Sequence, residues 1–341
     1  MFPEHQIVEL ESMPPDSGAT KGVATKAAGY GQPVRVTLEH AGDRRVVVWR
    51  IASANEFGHD RRSDRAANQL LAYDDFSTIP DHIRPLDVGV MHRDGSMASI
   101  GEGEVFLLTT YAPGTIYADD LRRIAQDGAA TEVDLARTER LARYLATLHV
   151  PIDDPPRYRR AIRDLVGHGE GIFGMVDGYA DDVPGAPRER LYELEQSCAS
   201  WRRRLHGATH RLARTHGDFH PFNVVFEGDH LALLDASRGC AGDPADDVTA
   251  MAINYVLFAL DTPHGWRGLG PLWQRFWDVY RPSSGLLDAA PPFFAWRALV
   301  VCNPRFYPDL GGRGRDALLG LAERALAAGT LDPRWAAELF A

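Results

Sequence analysis

The stretch His216-Gly217-Asp218-Phe219-His220-Pro221-Phe222-Asn223-Val224-Val225-Phe226, followed by Leu231-Ala232-Leu233-Leu234-Asp235, decides the fold. Asn223 to Phe226 and Leu231 to Leu234 are two short apolar runs joined by Glu227-Gly228-Asp229-His230, the pattern of a β-hairpin. A hairpin carries Asn223, at the start of its first strand, and Asp235, at the end of its second, to the same end of the ladder. Asp218 precedes Asn223 by five residues in a loop, free to face a ligand. A carboxylate, an amide and a second carboxylate in this order suit phosphoryl transfer, where positioning and charge neutralisation do most of the work.

Outward from the hairpin the pattern changes twice. Gln6 to Leu10, Val34 to Leu38, Arg45 to Ile51 and Val105 to Tyr111 carry short β-branched or apolar runs, and the spacing over Arg61 to Phe76 predicts one helix among them. After Tyr111-Ala112-Pro113-Gly114 the spacing becomes helical. Thr131 with Asp134 opens a helix whose apolar stripe is Leu141, Tyr144, Leu145 and Leu148. A second helix runs from about Pro187 with Leu191, Leu194, Cys198, Trp201 and Leu205 facing a core, and a third covers Asp316 to Gly329. Met251 to Leu260 is a buried helix, too short to span a membrane. The expected domains are 1–111, a β-rich nucleotide-binding lobe, and 112–341, a mostly helical catalytic and acceptor-binding lobe. The fold class is α+β.

Composition removes several alternatives. With 341 residues and 45% apolar content the chain can bury a sizeable core. A formal charge of -10 argues against general nucleic-acid binding and suits a cationic substrate. The only lysines are Lys21 and Lys26, which disfavours Schiff-base chemistry. Three scattered cysteines indicate neither disulfides nor a zinc finger, and a reducing cytoplasm is the expected compartment. His206, His210, His216 and His220 contain i, i+4 pairs without the Glu of HExxH, so zinc is disfavoured. Gly169 to Gly174 spells GxGxxG, but a helical pattern precedes it where a dinucleotide site needs a strand. Gly167 to Asp177 is therefore expected to be a loop, with Glu170 and Asp177 as candidate substrate contacts or simply solvated side chains. Trp266, Trp273, Trp277 and Trp296 are expected in the core.

The loop His216 to Val225 resembles the HGDxHxxN signature of the aminoglycoside phosphotransferase and choline kinase-like family, whose members have a two-lobed protein-kinase-like fold. Phe106-Leu107-Leu108-Thr109-Thr110-Tyr111-Ala112-Pro113-Gly114 is similar to the family's interlobe hinge, which implies adenine bonding to backbone near Thr109, Thr110 and Tyr111. Leu145-Ala146-Thr147-Leu148-His149 resembles the family's LAxLH helix end. Gly242-Asp243-Pro244-Ala245-Asp246-Asp247-Val248 resembles its GDPxxDL segment, with Asp247 where the loop is usually anchored. The resemblance implies Asp218 as catalytic base, Asn223 and Asp235 as Mg2+ ligands, ATP as donor, and a small-molecule hydroxyl as acceptor.

Two departures qualify it. Arg50 falls where the family's phosphate-contacting Lys is expected; a guanidinium can hold phosphates in bidentate fashion, and a strand-end Arg facing water is the alternative. The usual partner Glu on the small-lobe helix is not evident, although Asp64 and Asn68 lie in the right region. Gly18, within Ser17-Gly18-Ala19-Thr20-Lys21-Gly22, is the candidate loop over the phosphates, with Thr25 to Gly31 a rival. A protein kinase and a nucleotide-binding pseudokinase stay open as alternatives, and neither acceptor identity nor oligomeric state is legible.

Overall fold

The runs of β-branched residues near the N-terminus pair as an antiparallel sheet: β1 (Gln6–Ser12), β2 (Gly31–His40) and β3 (Asp43–Ala52), in the order β1-β2-β3. They belong to a computed structural model that describes residues 4–13, 31–55, 57–80, 82–101, 103, 105, 107–236 and 239–341. The chain divides into two units, Met1–Thr109 and Thr110–Ala341.

In the first unit, β2 supplies the buried side chains Val36, Thr37 and Leu38. Helix α1 (Arg62–Asp75) follows, opened by a capping box in which Asp64 Oδ2 accepts the Arg61 N–H at 3.0 Å. That cap occupies one of the two side chains considered as a partner for Arg50. A small hairpin, β4 (Gly89–Met91) with β5 (Met97–Ser99), completes the unit. The strand expected over Val105 to Tyr111 does not form among the described residues. Leu107 and Leu108 are both 87% exposed, and without a ladder partner an apolar run has nothing to hold it extended.

The second unit begins with a two-residue strand, β6 (Thr115–Ile116), laid against the hairpin foreseen from the sequence. Gly114, just before β6, has φ +125°, and a Cβ there would sit 2.4 Å from the Phe226 carbonyl oxygen, so only glycine lets the chain pass. Helices α2 (Tyr117–Asp127) and α3 (Glu132–Leu148) come next, the latter capped as predicted by Thr131 and Asp134. Then follow α4 (Pro155–Gly167), α5 (Ile172–Asp177) and α6 (Arg188–Leu205). The loop expected over Gly167 to Asp177 is corrected in its second half. Ile172 and Val176 are one helical turn apart and both fully buried, which is enough apolar contact to close α5.

The hairpin is β7 (Val224–Glu227) and β8 (His230–Leu233), closed by the Glu227–His230 pair. Beyond it lie α7 (Pro244–Leu260), α8 (Gly265–Tyr280), α9 (Ser284–Ala289), α10 (Pro291–Cys302), α11 (Gly312–Ala328) and α12 (Trp335–Glu338). α7 is buried along almost its whole length, packed by α8 and α10. Trp273, Trp277 and Trp296 are buried, and Trp266 stacks on Phe340 with ring centroids 4.5 Å apart, as core packing requires. Fold class is thus mixed α+β, β-rich first and mostly helical after. Among the described residues no helix is long and apolar enough to cross a membrane.

Candidate active site

The loop from His216 to Asn223 is held from below by the N-terminus of α7. Asp243 caps that helix by accepting the Ala245 N–H at 3.0 Å. It also receives a two-pronged Arg211 guanidinium at 2.7 Å and the Tyr158 hydroxyl at 2.9 Å. Burial, and the Asp243 charge after it, push the Tyr158 hydroxyl well above its usual pKa, so it stays a donor. One turn along, Asp247 is fully buried and turns both carboxylate oxygens to the loop: Oδ2 accepts the His216 N–H and Oδ1 the Gly217 N–H, each at 2.8 Å. His149, at the end of α3, places Nε2 3.2 Å from Asp247 Oδ2, while its Nδ1 meets the Tyr280 hydroxyl at 2.8 Å. Charge-assisted bonds of this kind, shielded from water, are the strong ones.

Loop conformation then follows. Gly217 has φ +81°, a left-handed turn that lets two successive N–H groups converge on Asp247. His216 Nδ1 accepts the Asp218 N–H at 3.3 Å, which is structural use of an imidazole. Phe219 is wholly buried and stacks on Tyr144 at an interplanar angle of 8°. Pro221 to Asn223 form one 3-10 turn into β7. Asp218, between these fixed points, keeps a partly open side chain.

Asn223 connects the three residues singled out by the sequence. Its Nδ2 donates to the Asp218 carbonyl at 3.1 Å and reaches the Asp235 carbonyl at 3.5 Å. Leu234 N–H donates to the Asn223 carbonyl at 2.9 Å, so the hairpin ladder itself brings Asp235 beside Asn223. Asp235 is exposed and left-handed at φ +47°, unusual for a residue other than glycine. One amide oxygen and one carboxylate at the end of a ladder form a hard-oxygen donor set. Among the described residues no three His, Cys, Asp or Glu side chains converge to hold a metal alone, so phosphate and water oxygens would have to complete such a shell. An all-oxygen donor set of this kind suits Mg2+.

One contact at the candidate site was not read from the sequence. Arg297, on α10, is 5% exposed and donates from Nη1 to Asp218 Oδ1 at 2.8 Å. Its Nη2 reaches Asp246 Oδ1 at 2.5 Å and the Gly217 carbonyl at 3.3 Å. Burial works against its charge, but the Asp246 and Asp218 carboxylates outweigh that and lift its pKa above the ordinary arginine value. The signal was there to be used: Arg297 is the single charge in the helix sequence PPFFAWRALVVC. On the other side of Asp218, His220 accepts the Phe222 N–H on Nδ1. Its Nε2 lies 3.2 Å from the Asn223 amide nitrogen and 3.4 Å from Asp218 Oδ2.

Arg50 is exposed in β3 opposite Pro33, with no hydrogen bond or ion pair among the described residues. Thr109, Thr110 and Tyr111 are exposed and outside any strand. Gly18, with its loop, falls outside the described residues, as does nearly all of Thr25 to Gly31. Glu170 and Asp177 have exposed side chains that bond to none of Asp218, Asn223 and Asp235; the Glu170 carbonyl accepts the Trp296 indole N–H at 2.9 Å, and Asp177 acts on Glu195 of α6.

Residues 93–276 match the model described as the phosphotransferase enzyme family. No curated protein sequence matches the chain. Among solved structures it is similar to a glucosamine kinase in complex with glucosamine, ADP and inorganic phosphate, at 20% identity over 66% of this chain and 62% of that one, with a TM-score of 0.40. This chain thus spans less than two thirds of that kinase's length. It is also similar to a choline kinase from Streptococcus pneumoniae, at 12% identity over 95% and 94% of the two chains with a TM-score of 0.36. A choline/ethanolamine kinase family protein from Mesorhizobium loti gives 14% identity over 93% and 95%, with a TM-score of 0.34.

Proposed function

The chain belongs to the phosphotransferase enzyme family, whose model spans more than half of it, and on that basis we propose that it transfers the γ-phosphoryl group of ATP to a hydroxyl of a small molecule. The observation that carries this reading is the pinned loop: Asp218 is partly open between two backbone anchors on Asp247 and the Asn223 side chain, with Asp235 beside them.

In this reading Asp218 is the catalytic base, orienting the acceptor hydroxyl and accepting its proton as the oxygen attacks. Asn223 and Asp235 would hold Mg2+. The ion supplies charge neutralisation on the phosphate oxygens when bound. Arg50 would contact phosphate, with backbone at Thr109, Thr110 and Tyr111 bonding adenine and the loop around Gly18 covering the phosphates. Residues 1–111 then serve as the nucleotide-binding lobe and 112–341 as the catalytic and acceptor-binding lobe. Glu170 and Asp177 remain acceptor contacts to be tested, and the net charge of -10 favours acceptors carrying an amine.

The test is Mg2+-dependent ADP release from ATP across aminoglycosides, amino sugars, amino alcohols and simple sugars, with wild type and Asp218→Asn side by side. Turnover with at least one acceptor, lost in the variant, is expected. Phosphate appearing on polypeptide alone would overturn the acceptor class, and ATP binding with no turnover on any acceptor would overturn the reaction.

A further inference from the structure

We propose that Arg297 is the positioning residue for the Asp218 carboxylate: it holds Oδ1 and so fixes the direction in which Oδ2 faces. The proposal rests on the reading of Asp218 as base.

Placement carries the argument. α10 is buried from Pro291 through Leu299, and its neighbours α7 and α11 offer it an apolar setting. A guanidinium there costs desolvation energy that an aliphatic residue would avoid, and buried ion pairs seldom repay that cost in stability. Were the role only to tie α10 to α7, the contact with Asp246 would suffice. Instead the fork is split, with one Nη on Asp246 of α7 and the other on Asp218. The same side chain touches the Gly217 carbonyl, so it grips the residue before the base as well as the base itself. Among the described residues Arg297 Nε is buried without a hydrogen-bond partner, so the side chain is placed to serve the two carboxylates at the expense of one of its own donors.

Chemistry agrees with that geometry. A base acting on an alcohol must present one lone pair along a defined line, and a misplacement of about 1 Å can cost roughly 100-fold in rate. Two other described groups near Asp218 differ from Arg297 in charge: His220 is charged only when protonated, and the Tyr307 hydroxyl, raised to about 12 by burial and then by Asp218, is neutral. Arg122 lies over the Phe222 and Phe258 rings and pairs with Asp119.

The experiment measures ADP release from Mg2+-ATP with the pooled acceptor panel, as a function of ATP concentration, for full-length wild type, Arg297→Lys, Arg297→Met and Arg297→Met/Asp246→Asn. The double variant removes cation and counter-anion together, so that a folded protein, checked by circular dichroism, is available even where the single change unfolds it. We expect kcat to fall by about 10- to 100-fold with KM for ATP changed less than about threefold, and partial recovery with Lys, which keeps the charge but not the fork. A folded double variant with kcat within about threefold of wild type would overturn the proposal. Wild type without turnover would instead overturn the function on which it rests, and the proposal with it.

Discussion

Asp247 Oδ1 accepts the Gly217 N–H at 2.8 Å, while the same carboxylate's other oxygen takes the N–H of the preceding residue. The buried end of α7 therefore dictates the path of the loop that presents Asp218. Removing the Asp247 side chain leaves two N–H groups and His149 without their partner, each buried orphan costing about 1–3 kcal/mol. Asp247→Ala is expected to lower the melting temperature and abolish phosphoryl transfer. Asp247→Asn, which cannot accept at both oxygens, should lose most activity with a smaller loss of stability. Thermal melts and ADP release on both variants check this, and an active Asp247→Ala would show that the loop holds its own shape.

Asp218→Asn keeps the side chain's volume and removes its basicity. Turnover should drop at least about 100-fold, the range of general-base contributions, while ATP affinity by calorimetry stays near wild type. A parallel loss of ATP affinity would place Asp218 on the nucleotide and not on the acceptor.

If Asn223 and Asp235 hold the metal, Asp235→Asn should raise the Mg2+ concentration for half-maximal rate by about tenfold or more, and chelation should stop turnover in wild type. Asn223→Ala should do the same more mildly. An unchanged Mg2+ requirement in Asp235→Asn would remove that residue from the metal.

Gly114→Ala tests the passage of the chain beside β7. The new Cβ would meet the Phe226 carbonyl oxygen at 2.4 Å and force an alanine to φ +125°. A loss of about 2–4 kcal/mol is expected from the strain and the displaced strand, read as a lower urea midpoint. Unchanged stability would mean that β6 shifts freely against the hairpin.

Alkaline pH should destabilise the second unit in a definite window. Burial raises the Cys302 thiol from 9.0 to about 12, and burial likewise raises Tyr255 and Tyr307 from 10.0 to about 12. Unfolded chains lose these protons first, so stability is intact below about pH 9 and declines as pH rises toward 12. Urea midpoints measured from pH 8 to 11 should fall above pH 9, and a flat profile would show that these groups are not buried in solution.

Local pattern was enough for much of this molecule. Thr131 and Asp134 cap α3 as their spacing requires, the hairpin closes between Glu227 and His230, and the Trp residues of the helical part pack inside. Each depends on neighbours a few positions apart, so the information is contiguous. The run from Val105 to Tyr111 shows where pattern misleads: apolar composition marks it as a strand, but a strand exists only if another lies beside it, and none does among the described residues. The same limit hid β4, β5 and α5, each too short for periodicity to register.

For the site, a single loop with its hairpin was sufficient to select Asp218, Asn223 and Asp235, because a two-strand ladder returns the chain to its starting end. Tertiary packing alone decided what surrounds them. Arg297 is 79 residues from Asp218, and His149 is 98 from Asp247. No local rule couples such positions; they meet because α3, α7 and α10 bury their apolar faces in one core, and that burial brings the few charged groups among them together.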